Sequence, residues 1–298
     1  MISGYNFWED FDLVIKDMLN RYEIRYSKSK KTTDLLLDFL TISKKIVTPV
    51  PRSVILSPIL ESKIQGHPKQ IEIENLITLF KAGGNVNFFQ SDSLLQSRKH
   101  DDLMYEWNIH HFHLSIERDT KSKFFKRTKA LLFVYIMDNK AIFLDVENHS
   151  RKGKYIFADP YWVQILHDHF PKEIEKYQHT FDMPQSDEDY TPKERMELWE
   201  KGYTTLMYKI GGVTYGSPGI GRTTSGHSTL VIKQHGEIIR WVHYVQNIFN
   251  SNEDEINKTF NFFEPNFQLA MTEFGFSIVE HRTKQIVISY PNIFTNIK

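Results

Sequence analysis

Three of the 13 histidines in this 298-residue chain fall within four positions, in the stretch Trp107-Asn108-Ile109-His110-His111-Phe112-His113-Leu114-Ser115. Successive side chains of an extended chain point to opposite faces. Ile109, His111, His113 and Ser115 therefore share one side, and His110, Phe112, Leu114 and Ile116 the other. In AIFLDVENH, at 141–149, the same rule groups Phe143, Asp145, Glu147 and His149 opposite Ile142, Leu144 and Val146. One sheet holding both stretches is expected to bring two imidazoles near two carboxylates and a third imidazole. Two chemistries follow. Imidazole is the natural proton carrier near neutrality, so His111, His113 and His149, with Glu147, suit general acid–base cleavage of RNA by its own 2′-hydroxyl, with no cofactor. The same donors, taken as His111, His113 and Asp145, form a nitrogen and oxygen ligand set for zinc or manganese. Spacing leaves both open, beside the ordinary alternative of a satisfied core histidine at His110 and carboxylates on a wet sheet face.

Local charge favours the first. Arg118, Lys121, Lys123, Lys126, Arg127 and Lys129 crowd one segment against Glu117 and Asp119, and Arg151-Lys152-Gly153-Lys154 follows His149 directly. Cations flanking imidazoles on both sides suit holding phosphates and stabilising a pentacovalent transition state. The alternative is a pair of solvated lysine-rich loops. Phe124 and Phe125, inside the basic segment, are candidates for stacking unpaired bases. Six of the 14 glycines lie within residues 211–226, followed by His227 and Ser228. This run is neither a phosphate-binding loop ending in Gly-Lys-Ser/Thr nor a dinucleotide-binding turn, since no helix is expected after it. Arg222 with Thr223, Thr224 and Ser225 offers an anion nest, against the plainer reading of a glycine-rich hairpin connection.

The elements that must position these residues are read from periodicity. Phe7, Phe11, Ile15, Met18 and Leu19 form a helical stripe, with Asn6 and Glu9 spaced as a capping box. A second helix is expected at 32–46, and a third ends at Gly83 and Gly84 after an extended, proline-punctuated segment. LLFVYI at 131–136, a tight turn and AIFLDVENH predict a hairpin. Asp159 and Pro160 open a helix that stops near Pro171, and Thr191, Pro192 and Glu194 open another. His167 and His169 are expected on the surface of the helix that Asp159 and Pro160 open, and His235 in a turn with Gly236. TTLMYKIGG, HSTLVIK and IIRWVHYV are strand candidates, followed by two helices around 253–274 and strands near 276–281 and 285–290. The fold class is α+β: a helical region at 1–85, a small antiparallel sheet with the histidine-rich strand at 86–185, and a second α+β region with the Gly-rich loop at 190–298.

A helix running into IHHFHLS, a basic loop, LLFVYI, a turn, AIFLDVENHSRKGKY and a following helix, in that order over residues 86–171, resemble the RelE-like ribonuclease toxins. Their wider barnase–colicin–RelE relatives include large toxins of abortive-infection systems. The resemblance implies a helical start and a small antiparallel sheet presenting Arg, Lys, His, Glu or Tyr to RNA. It also puts His149, Arg151, Lys152 and Tyr155 where that family keeps phosphate contacts and an acid–base residue. The strand equivalent to LLFVYI lacks the arginine common there, so Arg127 or Arg222 would have to serve.

Composition narrows the rest. With 37 basic and 37 acidic residues, the net charge is zero and a globally basic nucleic-acid coat is excluded, leaving a local patch. A hydrophobic content of 40% with 22 Phe and 14 Tyr excludes disorder. The absence of Cys excludes disulfides, thiolate metal sites and a Cys nucleophile. No apolar run approaches a membrane span and the amino terminus lacks a signal pattern, so a cytoplasmic protein is expected. The leading expectation is an endoribonuclease toxin acting on RNA, with an antitoxin or phage-derived trigger as partner and no membrane association. The rivals are a metal-dependent nuclease or hydrolase using the same histidines, and a non-catalytic sensing or partner-binding protein of phage defence.

Overall fold

The structure, a computed structural model, describes residues 5–149, 155–179, 190–205, 207–259 and 266–290. In chain order the elements are α1 (Phe7–Arg21), α2 (Thr32–Lys45), β1 (Ser53–Leu56), α3 (Pro58–Ile64), α4 (Gln70–Ala82), α5 (Asp102–Trp107), β2 (Ile109–His113), β3 (Ala130–Ile136), β4 (Lys140–Asn148), α6 (Tyr161–His169) and α7 (Pro171–Ile174). There follow β5 (Gln178–His179), α8 (Pro192–Glu200), β6 (Met207–Ile210), β7 (Val213–Gly216), α9 (Thr229–Ser251), α10 (Glu253–Thr259), β8 (Phe267–Thr272), β9 (Gly275–Glu280) and β10 (Ile286–Ser289). The class is α+β, as expected, with two compact units: 45–230, and 1–44 together with 231–298. These limits do not coincide with expected boundaries at 85 and 185–190. Residues 45–85 join the central sheet through long-range pairing, which local composition does not display.

The larger unit is built on a sheet of order β1-β4-β3-β2. The hairpin β3–β4 and the pairing of β2 with β3 are antiparallel, whereas β1 runs parallel to β4. The sheet is thus mixed rather than purely antiparallel. Both faces are covered, which explains why β3 reads as an unbroken apolar run. Ile109, Leu131, Phe133, Tyr135, Ile142 and Leu144 face α6 and the β6–β7 hairpin, with Phe133 stacked on Trp162 at 3.8 Å between ring centroids. Phe112, Leu132, Val134, Ala141 and Phe143 face α4, whose Phe80 meets Phe112 and Phe143 edge-on at 5.6 and 5.3 Å. A bulge breaks strict alternation in β4. Phe133 pairs with Asp145 and Val134 with Phe143, leaving Leu144 as the additional residue. Phe143 therefore lies on the face opposite Asp145 and Glu147, not with them as period-two counting predicts.

In the smaller unit, α1 packs Phe7 and Phe11 against Phe249 and Phe276, and Asp10 accepts a hydrogen bond from the Leu269 amide at 2.9 Å. Asn6 precedes α1 but forms no capping box, because its amide donates to Glu9 at 2.7 Å instead of accepting from the backbone. HSTLVIK and IIRWVHYV are not strands. From Thr229 on they lie in the 23-residue α9, whose buried residues Val231, Ile238, Val242, Val245 and Phe249 recur at helical intervals, so β-branched content misleads where periodicity does not. His235 is accordingly helical, its Nε2 2.8 Å from the Thr33 carbonyl. Residues 267–272 form β8 rather than a second helix. No helix among the described residues is long and apolar enough to cross a membrane.

Candidate active site

Asp101 starts the site. Its Oδ1 accepts the Met104 amide at 3.1 Å, capping α5, a helix of only six residues. Asn108 closes α5 in the left-handed conformation, φ 55°, and its amide is anchored on the Ile136 carbonyl. The chain then turns directly into β2, the edge strand, which folds back beside the helix start. Asp101 Oδ2 consequently lies 3.2 Å from His111 Nδ1, at ion-pair distance though out of line for a good hydrogen bond. Burial pushes the Asp101 pKa up, but the neighbouring imidazole outweighs it and holds the carboxyl below its ordinary value.

The predicted alternation holds in β2. His111 and His113 pair across from Phe133 and Leu131, while His110, buried, stacks over Phe112 on the other side. The three open on a cleft of about 610 Å³ at the sheet edge, joined by His149, which leaves the end of β4. Phe157 stands between His111 and His149, edge-on to both at 4.9 and 5.4 Å. His113 is 4% exposed, with its Nδ1 3.1 Å from both the amide and the carbonyl of Thr128. Burial, then the proximity of His111, pushes its pKa down to about 4. The same two causes, with Arg127, lower that of His149. Two imidazoles are thus held neutral beside one that touches a carboxylate.

Cations surround the cleft. Arg127 and Lys129 are exposed on its wall, and Arg127 is paired with exposed Asp92 at 2.9 Å. At its base the Lys45 ammonium donates to the carbonyls of Ser93, Gln96 and Lys99 at 3.2, 2.8 and 3.1 Å, and burial lowers its pKa to about 8. His100 shares the wall, its pKa lowered by burial and then by Arg222.

Other expected residues are not brought here. Asp145 and Glu147 face the same side as His111 and His113, but β3 intervenes, putting Phe133 and Leu131 between them. Two strand spacings amount to roughly 9–10 Å. Asp145, fully buried, is bound instead by Lys63 at 2.6 Å and the Tyr161 hydroxyl at 2.7 Å. The metal set of His111, His113 and Asp145 is therefore not assembled, and no group of three or more His, Asp or Glu placed to hold a metal occurs among the described residues. Glu147 borders a neighbouring cleft, not the one the imidazoles share. Lys126 turns to Glu117 at 2.5 Å, away from the cleft. Arg222 is no phosphate clamp, since it is buried against Asp102 at 2.7 Å; burial pushes the Asp102 pKa up, to about 7, in spite of that guanidinium. Tyr155 is described but does not line the cleft, and Arg151 and Lys152 lie outside the described residues.

The aromatic and glycine-rich segments serve the frame. Phe124 is buried, and Phe125 stacks on Phe89 at 4.2 Å beneath the Arg118 guanidinium, so neither offers a free face to a base. Gly211 and Gly212 form the β6–β7 turn with positive φ, and the loop beyond docks on α5 through a Gly219 amide bond to the Glu106 carbonyl at 2.8 Å. A Cβ at Gly219 would meet the Tyr105 carbonyl oxygen at 1.8 Å. Glu106, buried, accepts from Trp199 at 3.0 Å and from Tyr208 at 2.5 Å, which locks the far end of α5. His167 is no free surface residue, because its Nδ1 meets the Tyr215 hydroxyl at 2.8 Å.

Sequence reasoning finds the imidazoles but misses Asp101. The available signal is its position as a helix cap three residues before Met104, in a helix leading straight into the histidine strand. No family model matches the chain, and no curated protein or solved structure does either.

Proposed function

We propose that the chain is an endoribonuclease of toxin type that cleaves RNA by imidazole acid–base catalysis. One observation carries this reading: His111, His113 and His149, imidazoles of unlike environment, converge on one cleft bordered by Arg127 and Lys129, with Asp101 against His111. His149, held neutral, is suited to take the proton of the 2′-hydroxyl. The 2′-oxygen then bonds to phosphorus and the bond from phosphorus to the 5′-oxygen breaks. His111, which lies against Asp101, is the imidazole placed to give a proton to that leaving oxygen. His113 protonates too low to act as the acid, and its neutral ring, fixed by Thr128, is suited to a hydrogen bond with a phosphoryl oxygen. Arg127 exchanges Asp92 for phosphate at small cost, since exposed ion pairs contribute little. The order of elements over 86–171 adds the toxin character, for which growth arrest on expression is the cellular readout.

The test is cleavage of a defined RNA with and without EDTA. The expected products carry a 2′,3′-cyclic phosphate and a free 5′-hydroxyl, activity persists in chelator, and a 2′-deoxy substitution at the scissile nucleotide blocks the reaction. A bell-shaped pH profile is expected, its acid limb set by protonation of His149. Cleavage of the deoxy substrate, or activity lost on chelation and restored by zinc or manganese, refutes the mechanism in favour of metal-bound hydroxide.

A further inference from the structure

The rim of the central sheet, where β2 ends, β3 begins and β4 ends, carries two clefts rather than one. The second, about 570 Å³, is bounded by His67, Pro68, Lys69, Val146 and Asn148. It lies within the roughly 300–1,000 Å³ range of small-ligand sites. The two clefts share two residues, Thr128 and Lys129. Both clefts take residues from both faces of the sheet: His110 lines the first beside His111 and His113, and Glu147 lines the second beside Val146 and Ala130. The wall between them is two residues of chain, roughly 7 Å.

We propose that a single-stranded RNA crosses this rim at Thr128 and Lys129, with its scissile phosphate in the imidazole cleft and a flanking nucleotide in the second cleft. This rests on the ribonuclease reading. Lys129 is exposed and lines both clefts, where its ammonium would meet the phosphate linking the two nucleotides. Pro68 and Val146 supply apolar surface for a base. The His67 ring is held in place by the Lys69 amide, which donates to its Nδ1 at 3.0 Å, and presents a flat face for stacking. The Asn148 amide, exposed at the end of β4, both donates and accepts, as recognition of a base edge requires. A strand that turns a base into the second cleft while its neighbouring phosphate stays in the first must be unpaired there, so the substrate class is single-stranded RNA extending at least one nucleotide past the cleavage point, and not a duplex.

The experiment compares a dinucleotide with a hexanucleotide, in 2′-O-methyl form for binding by fluorescence anisotropy and in ribose form for cleavage, on the full chain and on His67→Ala/Asn148→Ala. The wild type is expected to bind and cleave the hexanucleotide about tenfold better, the double variant to lose most of that gain, and the dinucleotide to stay within about twofold, as one base contact implies. Unchanged thermal unfolding confirms that the variant is folded. Equal use of both lengths, unaltered in the variant, overturns the second cleft and leaves the ribonuclease reading standing. Length-dependent binding that the variant abolishes, without cleavage of any oligonucleotide, overturns the ribonuclease reading instead.

Discussion

Replacing His113 by Gln should make folding stability markedly less sensitive to acid. In the folded chain this ring protonates at about 4, against 6.5 when free of its surroundings, because burial disfavours the imidazolium and His111 repels it. Between those values the unfolded chain holds a proton that the folded chain does not, so stability is intact above the unfolded pKa and falls as the pH drops toward the folded one. The full cost is about 3 kcal/mol, of which about 2 kcal/mol is already incurred at a pH of about 5. Glutamine keeps a polar group beside Thr128 without titrating. Urea unfolding at pH of about 7.5 and about 5 should therefore show the wild type losing about 2 kcal/mol more than the variant between the two conditions. An NMR titration of the imidazole protons should find one ring, missing from the variant, that stays neutral down to a pH of about 4. Equal losses in both proteins, or a His113 ring titrating at its ordinary value, would refute the account of why His113 cannot serve as the acid.

His111→Ala should lower kcat/KM for RNA by about 10²–10⁴-fold, the usual range for a positioned proton carrier. His110→Phe should alter stability while leaving cleavage in place, and equal loss from both folded variants would contradict the strand faces. Asp101→Asn retains the helix cap while removing the charge beside His111; kcat should fall with little change in KM, and a change confined to KM would count against a role through the imidazole. Replacing Arg127 and Lys129 together by Gln should reduce the salt dependence of single-stranded RNA binding by a slope of about 1.4, read from titrations at several ionic strengths, and an unchanged slope would remove both from the phosphate path. Gly219→Ala should destabilise the larger unit by roughly 2 kcal/mol or more, because backbone at Tyr105 has no room to yield; wild-type stability on denaturation would show that the loop is not docked on α5.

Much of the local architecture is written in short-range pattern. The stripe from Phe7 to Leu19 makes α1, Thr191 and Glu194 form a true capping box before α8, and LLFVYI with AIFLDVENH makes the β3–β4 hairpin. The division of His110 from His111 and His113 follows from the pleat of β2 alone, which any extended strand imposes whatever surrounds it. What lies between strands does not follow from the pleat. The alternation rule gives the shared face of His113 and Glu147 but not the strand order, and the insertion of β3 with Leu131 separates them beyond contact. Asp145 passes from candidate ligand to buried anchor because Lys63 and Tyr161, distant in sequence, converge on it, and Arg222 passes from clamp to frame because Asp102 does. Asp101 enters the site only because a six-residue helix and the left-handed turn at Asn108 fold the chain back on itself. Sequence thus determined which side chains share a face in an unbroken strand such as β2, a property of neighbouring backbone dihedrals, but not across the β4 bulge that turns Phe143 away from Asp145 and Glu147. Tertiary structure decided which charges meet, since that depends on the order of strands and the burial of partners far apart along the chain.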